Sequence, residues 1–334
     1  MSQAVGIVAI GRNEGERLRA CITSAARESN ALVNVDSGST DDSVAMASSM
    51  GATVVNLDMS IPFTAARARN AGFARLLAMR TDVDYVFFID GDCEIIPGFV
   101  PAVLSELNDR PDVAVACGRV RERHADRSVY NRLCDLEWDN LAGETQSCGG
   151  NAVHRVSAFK AVGGFNESMI AGEEPEMCVR LRQRGFKILS IAQDMVWHDA
   201  AMTRFSQWWR RNVRAGHAYA EGAAMHGAPP ERHWVREVRS NDFWGLFIPI
   251  MSIVLASFTY GAGLALWLLA YAVLALKIYR HARRRFGKNA ALYTFFIVLG
   301  KIPQALGQLK YRLSRLRGKR SQIIEYKTAA AGSP

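Results

Sequence analysis

Along the first hundred residues the hydrophobic positions follow two spacings in turn. Short runs rich in β-branched and aromatic residues, VGIVAI, ALVNVD, ATVVNL and YVFFID, are separated by longer stretches in which apolar residues recur at helical period. Strand and helix alternating in this way predict a mostly parallel sheet flanked by helices, with ligands gathered at the carboxyl ends of the strands. Three of the four runs end there in polar loops. They are Arg12-Asn13-Glu14, the segment DSGSTD from Asp36 to Asp41, and Asp90-Gly91-Asp92.

From Val113 to Trp197 strand-like runs (VAVACGRV, KILSIA) mix with helical ones, among them EPEMCVRLRQRG, which Gly185 should stop. Residues 1–200 therefore read as one globular α/β domain. Residues 201–240 follow as an amphipathic region, RFSQWWRRNVRAGHAYAEG, whose tryptophans and arginines suit a membrane interface. The pattern then changes abruptly. Phe243 to Tyr279 carries no charge before Lys277, and Gly261-Ala262-Gly263 lies near its middle. A hairpin of two transmembrane helices is expected, about 243–260 and 263–279, each roughly 17 residues long. The rest of the membrane region, 241–334, continues as an apolar stretch from Ala290 to Gly300 and a basic amphipathic tail, with room for a third spanning helix in place of a surface one.

Composition adds a few constraints. A chain of 334 residues that is 49% hydrophobic and 22% charged is a folded protein rather than a disordered one. Its net charge of +9 is concentrated late, beside the apolar run, which points to an anionic membrane surface and not to nucleic acid. Basic residues flank the hairpin on both outer sides, so the positive-inside rule puts both flanks and the N-terminal domain in the cytoplasm. The six cysteines are scattered without a CxxC pair, which fits a reducing compartment. No signal peptide is expected from the N-terminal residues.

The acids at the strand ends are the first candidates for chemistry. Two aspartates separated by one glycine can both turn toward a hard cation, and a divalent metal so held keeps positions open for substrate phosphates. The other reading makes Asp90 and Asp92 turn formers or caps of the helix expected near Pro97. Asp36 is placed to accept from a base or ribose, while Ser39 and Asp41 are equally suited to capping the helix that follows. No GxGxxG dinucleotide loop or P-loop occurs.

The segments VAIGRNEGERL, VNVDSGSTDDSVAMA, ARARNAGFARL, FFIDGDCEIIPGFV, GGNAVHRVSAFKAVGGFNE, GEEPEMCVRLRQRGFKI and IIEYK resemble, in order and spacing, the bacterial family 2 glycosyltransferases. The resemblance covers essentially the soluble part, Ser2 to about Asp199. It implies a GT-A fold, a nucleotide-diphosphate sugar donor with a UDP-sugar as the leading expectation, a divalent cation (Mn2+ or Mg2+), and inversion at the anomeric carbon. Carried onto this chain, it makes Asp36 the uracil- or ribose-contacting acid, with Asn13, Glu14, Ser37 and Gly38 in the same pocket. Many relatives have a second acid where Ser37 stands. Arg69 and Asn70 would face the donor diphosphate or sugar. Asp90 and Asp92, around Gly91, would be the DxD, with Asp92 the direct metal ligand, and His198 would complete the metal site.

At the base the chain departs from the family pattern, which places Glu-Asp in GEDxEL. Here the pair is Glu173-Glu174, followed by Pro175 and Glu176. Glu174 occupies the base position one methylene longer, with Glu173 in support; both also suit the acidic start of a helix. The cluster around Trp208, Trp209, Arg211 and Arg214 is only loosely similar to that of processive relatives, and Trp208 and Arg211 are the acceptor candidates. The expected enzyme adds a sugar to a lipid-linked or glycan acceptor at the cytoplasmic face of the inner membrane, for surface polysaccharide or glycolipid synthesis. The alternatives are a nucleotidyltransferase, or a non-catalytic membrane scaffold that retains a transferase-like domain.

Overall fold

The computed structural model describes residues 4–318 and 323–326. Residues 1–3, Lys319 and Arg320 at the end of the basic tail, and Lys327 of IIEYK lie outside them. Two compact units emerge, the first holding the chain up to Ala125 and Glu137–Ala201, the second Asp126–Leu136 and the chain from Met202 onward.

The first unit is built on a mixed sheet of nine strands. They are β1 (Ala4–Gly11), β2 (Leu32–Asp36), β3 (Thr53–Asn56), β4 (Val83–Asp90), β5 (Cys93–Ile95), β6 (Val113–Glu122), β7 (Gly143–Thr145), β8 (Ala152–Arg155) and β9 (Lys187–His198). The order is β3-β2-β1-β4-β8-β6-β9-β5, with β7 beside β9. β1 runs parallel to both β2 and β4, and β8 enters antiparallel between β4 and β6. The four runs read as strands from the sequence are β1 to β4. Val86 to Ile89 are fully buried, as expected of a central strand covered on both faces.

Register matters most for the site. Gly11 pairs with Asp36 and Ile10 with Asp90, so the polar endings of β2 and β4 flank the end of β1 on one edge. The helices of this part are α1 (Glu16–Glu28), α2 (Ser43–Ser49), α3 (Ala65–Met79), α4 (Phe99–Asp109), α6 (Val156–Ala161) and α7 (Glu173–Gln183), while α5 (Val129–Glu137) falls almost wholly in the second unit. α3 lies tight on the sheet because Gly72 faces it: a Cβ there would stand 2.3 Å from a Val8 methyl and 2.8 Å from one of Val35. Thr64 caps α3 by accepting from the Arg67 N–H at 3.2 Å. Gly185, at φ +84°, ends the α7 segment where the sequence placed its stop.

The second unit is helical. α8 (Phe205–His226) packs along α12 (Ala290–Leu316), and glycines on both let the backbones meet. A Cβ on Gly216 would fall 1.9 Å from the Gln304 carbonyl oxygen, and one on Gly307 would fall 2.0 Å from that of Val213. α9 (Val235–Asp242) is tied to α12 by the two-pronged Arg312–Asp242 pair, at 2.9 and 2.6 Å. A π-turn at Phe243–Phe247 precedes α10 (Ile248–Phe258), just before Pro249, whose missing N–H loosens the ladder there. α11 (Ala262–Phe286) returns after a reversal at Thr259–Gly261.

Val235–Phe258 and the helical run from Ala262 are long and apolar enough to cross a membrane by length and composition. Their apolar side chains are bare: Phe258 is 81% exposed, Leu268 70% and Leu269 62%. Around Trp208 the expectation of an interface anchor or acceptor contact gives way to packing. The indole is 1% exposed and meets Phe296 edge-on at 5.0 Å, so its bulk holds α8 to α12. Arg211 stays half-buried on α8, and Arg214 stands over the Tyr326 ring.

Candidate active site

The corner after β4 turns on Gly91. Its N–H donates to the Ile10 carbonyl at 2.8 Å, and a Cβ there would sit 3.1 Å from that same oxygen. Glycine is needed for close approach to β1, and the chain then enters β5 with Asp90 and Asp92 in different surroundings. Neither aspartate caps a helix, because α4 starts at Phe99 with Gly98 as its N-cap.

Asp90 turns toward α3. Its Oδ1 accepts from Arg69 Nη2 at 2.9 Å, and Arg69 Nη1 also donates to Glu173 Oε1 at 2.8 Å and Glu174 Oε1 at 2.9 Å. The guanidinium is 3% exposed, so one buried cation gathers three carboxylates from α7 and the end of β4. Burial alone would lower its pKa, but Glu174, Asp90 and Glu173 together raise it, and it stays charged. The carboxyl of Glu174 is pushed up to about 7, first by burial and then by the neighbouring Glu173, against the pull of Arg69. Gly150 clears the space: a Cβ there would meet Arg69 Nη2 at 2.2 Å and Glu174 Oε1 at 3.0 Å.

Asp92 turns the other way and is 5% exposed. Its Oδ2 faces His198 Nε2 at 3.4 Å, while His198 Nδ1 faces Glu122 Oε2 at 3.7 Å and the ring stands edge-on to Trp138 at 4.5 Å. Cys93 pairs with His198 across β5 and β9, and its Sγ lies 3.6 Å from Asp92 Oδ1. The donor atoms of Asp92, Cys93 and His198 all lie within 4.8 Å of one another. Ligands bonded to a single cation at about 2.0–2.4 Å can be no farther apart than this, so the trio fits a divalent metal. Asp90, expected as a second ligand, gives its Oδ1 to Arg69, and the third donor of the group is Cys93, a soft thiol that suits Mn2+ or Mg2+ less well than a carboxylate does. A cavity of about 210 Å³, lined by Arg17, Asp92, Cys93, Arg123 and Asp199 among others, opens beside it.

The nucleotide-pocket candidates form a third group. Asp36 Oδ2 accepts from the N–H groups of Gly38 and Ser39, both at 2.9 Å, an arrangement that the left-handed φ of +84° at Gly38 permits. Asn13 ties this loop to the end of β1: its N–H donates to Ser39 Oγ at 2.9 Å, and its Oδ1 accepts from the Thr40 N–H at 2.7 Å. Ser39 is thus held by Asn13, while Asp41 accepts from the Ser43 N–H at the start of α2, as a cap would. Glu14 pairs with Arg17 at 2.7 Å. Ser37 Oγ is buried with no hydrogen-bond partner among the described residues, a hydroxyl that a bound ligand can satisfy.

Two residues expected to face the donor make extensive contacts within the protein. The Asn70 amide donates to the Phe165 carbonyl and Glu167 Oε1, and its oxygen accepts from the Phe165 N–H at 3.0 Å, so it fastens α3 to the 165–167 loop. Arg69 faces the acids rather than presenting its fork outward. Asn151 carried no expected role, yet its Oδ1 accepts from the Asp90 N–H at 2.8 Å and its Nδ2 lies 3.4 Å from Cys93 Sγ. The two glycines before it in GGNAVHR were the available signal, since they mark backbone brought close to other groups.

Comparison with known proteins now decides the family. Residues 7–162 match the profile of Glycosyl transferase family 2. Residues 7–162 thus form a family 2 glycosyltransferase domain. This is an inverting family with nucleotide-sugar donors, which sets aside the nucleotidyltransferase alternative. The O-antigen chain rhamnosyltransferase WbaN of Salmonella anatum is 27% identical over 228 residues, 64% of this chain and 66% of its own length, just under two thirds. The pre-mycofactocin glycosyltransferase of Mycobacterium tuberculosis is 30% identical over 172 residues, 48% of this chain and 35% of its own. In fold, the mannosyltransferase PcManGT from Pyrobaculum calidifontis, solved with GDP-Man and Mn2+, superposes with a TM-score of 0.55 at 17% identity, covering 91% of this chain and 86% of that one.

Proposed function

We propose that this family 2 enzyme moves one sugar from a nucleotide-diphosphate sugar to a lipid-linked acceptor at the cytoplasmic face of the membrane, in the assembly of a surface polysaccharide. The observation that carries the reading is the Arg69 clamp. One buried guanidinium holds Glu174, the base candidate, within its own span of Asp90, beside the corner that also presents Asp92. Base and donor site are thereby registered to each other by covalent geometry and three ion pairs.

In this mechanism the acceptor hydroxyl gives its proton to Glu174 as its oxygen attacks the anomeric carbon in line, and the bond to the nucleotide diphosphate breaks on the opposite face. Burial suits Glu174 to the task, because a carboxyl that titrates near 7 is a stronger base than an exposed one and is still ionised in part at neutral pH. Arg69 keeps Glu174 oriented and offsets part of its charge. Asp92, Cys93 and His198 would hold the divalent cation, which when bound offsets charge on the departing diphosphate. Asp36 with the 37–39 loop, propped by Asn13, forms the nucleoside end. Arg211 is the remaining acceptor contact. The exposed apolar helices support a membrane-borne acceptor, and the O-antigen relatives support surface polysaccharide as its destination.

The test is a panel of UDP-, GDP- and dTDP-sugars with Mn2+ or Mg2+. Glu174→Gln should retain donor binding and slow transfer by about 10²–10⁴-fold, while Asp92→Ala loses metal-dependent donor binding. If no nucleotide sugar binds, or if Glu174→Gln transfers at the parent rate, the assignment fails.

A further inference from the structure

The apolar hairpin has a depth as well as an affinity for lipid. Its uncharged arms are Phe243–Phe258, 16 residues, and Ala262–Leu276, 15 residues. At 1.5 Å per residue these reach about 24 Å, against a hydrocarbon core of about 30 Å that normally takes about 20 residues to cross. The arms also cannot slide apart to gain length. Gly263 seats against α10, where a Cβ would fall 2.5 Å from both the Ser252 carbonyl oxygen and the Ala256 nitrogen, and the Tyr271 hydroxyl donates to the Trp244 carbonyl.

Apart from the exposed Tyr260 hydroxyl, the apex is suited to hydrocarbon. Residues Ser257 to Gly263 contain no charge. The Ser257 and Thr259 hydroxyls donate back to the carbonyls of Val254 and Leu255 at 2.6 and 2.7 Å. The Gly261 N–H finds Ala256, the Ala262 N–H finds Thr259 and the Leu264 N–H finds Gly261, each at 3.0 Å, while the Gly263 N–H reaches Thr259 Oγ1 at 3.2 Å. A turn within a bilayer must satisfy its polar groups internally, because nothing else there will. The open end is the opposite. Lys277, Arg280, Arg283, Arg284, Arg285 and Lys288 follow the second arm with no acid among residues 277–289, and most are exposed. Such a run fits the anionic headgroups of one leaflet.

We infer that the hairpin is re-entrant: it enters and leaves by the cytoplasmic leaflet and its apex, Thr259-Tyr260-Gly261, ends within the acyl chains without emerging on the far side. This rests on the membrane reading above but replaces its two spanning helices with a hairpin that does not cross, since the helices reach crossing length only by counting their charged flanks. The consequence is an enzyme held from one side, with no residue of the hairpin exposed beyond the membrane.

Thiol labelling of the full-length protein in sealed vesicles tests the depth. Tyr260→Cys and Phe258→Cys place new thiols at the apex, Lys288→Cys places one at the basic end, and the six native thiols are buried. With a membrane-impermeant maleimide, Lys288→Cys is expected to label in inverted vesicles, whereas both apex variants stay at background in inverted and right-side-out vesicles until detergent is added. Labelling of either apex variant before detergent, from either side, overturns the inference while leaving membrane attachment intact. Release of the parent protein by carbonate would instead defeat the membrane reading itself.

Discussion

The two units hold opposite exceptions to ordinary burial. In the first, Arg69 is a guanidinium only 3% exposed; in the second, Leu268 is an apolar side chain 70% exposed on an arm with 15 consecutive uncharged residues. Either would be costly alone. Arg69 is compensated inside the fold by Asp90, Glu173 and Glu174, so the cost of burying charge is offset where the chemistry sits. Leu268 has no such cover among the described residues, and its compensation is expected from lipid. Buried charge thus marks the proposed reaction centre in one unit, and bare hydrocarbon marks the proposed membrane-facing part of the other.

Removing the compensation should break each side of this contrast. The largest effect is expected from Arg69→Met, which leaves three crowded acids without their cation and should cost about 3–5 kcal/mol, read as a lower urea midpoint. If Glu173→Gln added to it restores part of that loss, the clamp is electrostatic; if it does not, packing dominates. Next, Leu268→Arg should weaken membrane insertion by about 2.5–3.5 kcal/mol, seen as protein shifting to the soluble fraction in flotation, with nucleotide binding unchanged. Insertion equal to that of the parent would mean that this face does not meet lipid.

The smallest effect concerns pH. As the proposed base, Glu174 must be deprotonated to act, and burial pushes its carboxyl up to about 7, so kcat/KM should rise with pH by about tenfold per unit below that point and level off above it. The limb should disappear in Glu174→Gln. A profile already flat at pH 5 would mean that Arg69 outweighs burial at this site.

How much of the site was legible follows from what each residue type can signal alone. Asp92 was visible as an acid at a strand end and His198 through the family resemblance, and the structure sets them 3.4 Å apart. Cys93 and Asn151 were not, since a cysteine in a strand reads as core and an asparagine after two glycines reads as a turn. Arg69 was visible as a candidate, but its pairing with three acids was not. Its direction depends on the acids of α7, more than 100 residues away in sequence. Trp208 failed for a related reason: an aromatic, basic helix has the same pattern whether its apolar stripe meets lipid or another helix, and Phe296 of α12 made that choice.

The sequence by itself determined the alternation of β1 to β4 with helices, the polar endings of β1, β2 and β4, and the long uncharged run of the hairpin. These are local properties, set by spacing of side chains along one backbone. The tertiary structure decided which acid meets which cation, because ion pairs and metal-ligand groups join residues that are distant in the chain and are selected by the register of Gly11 with Asp36 and Ile10 with Asp90. It also separated Asp90 from Asp92, two neighbours of identical chemistry, by turning one toward Arg69 and the other toward His198.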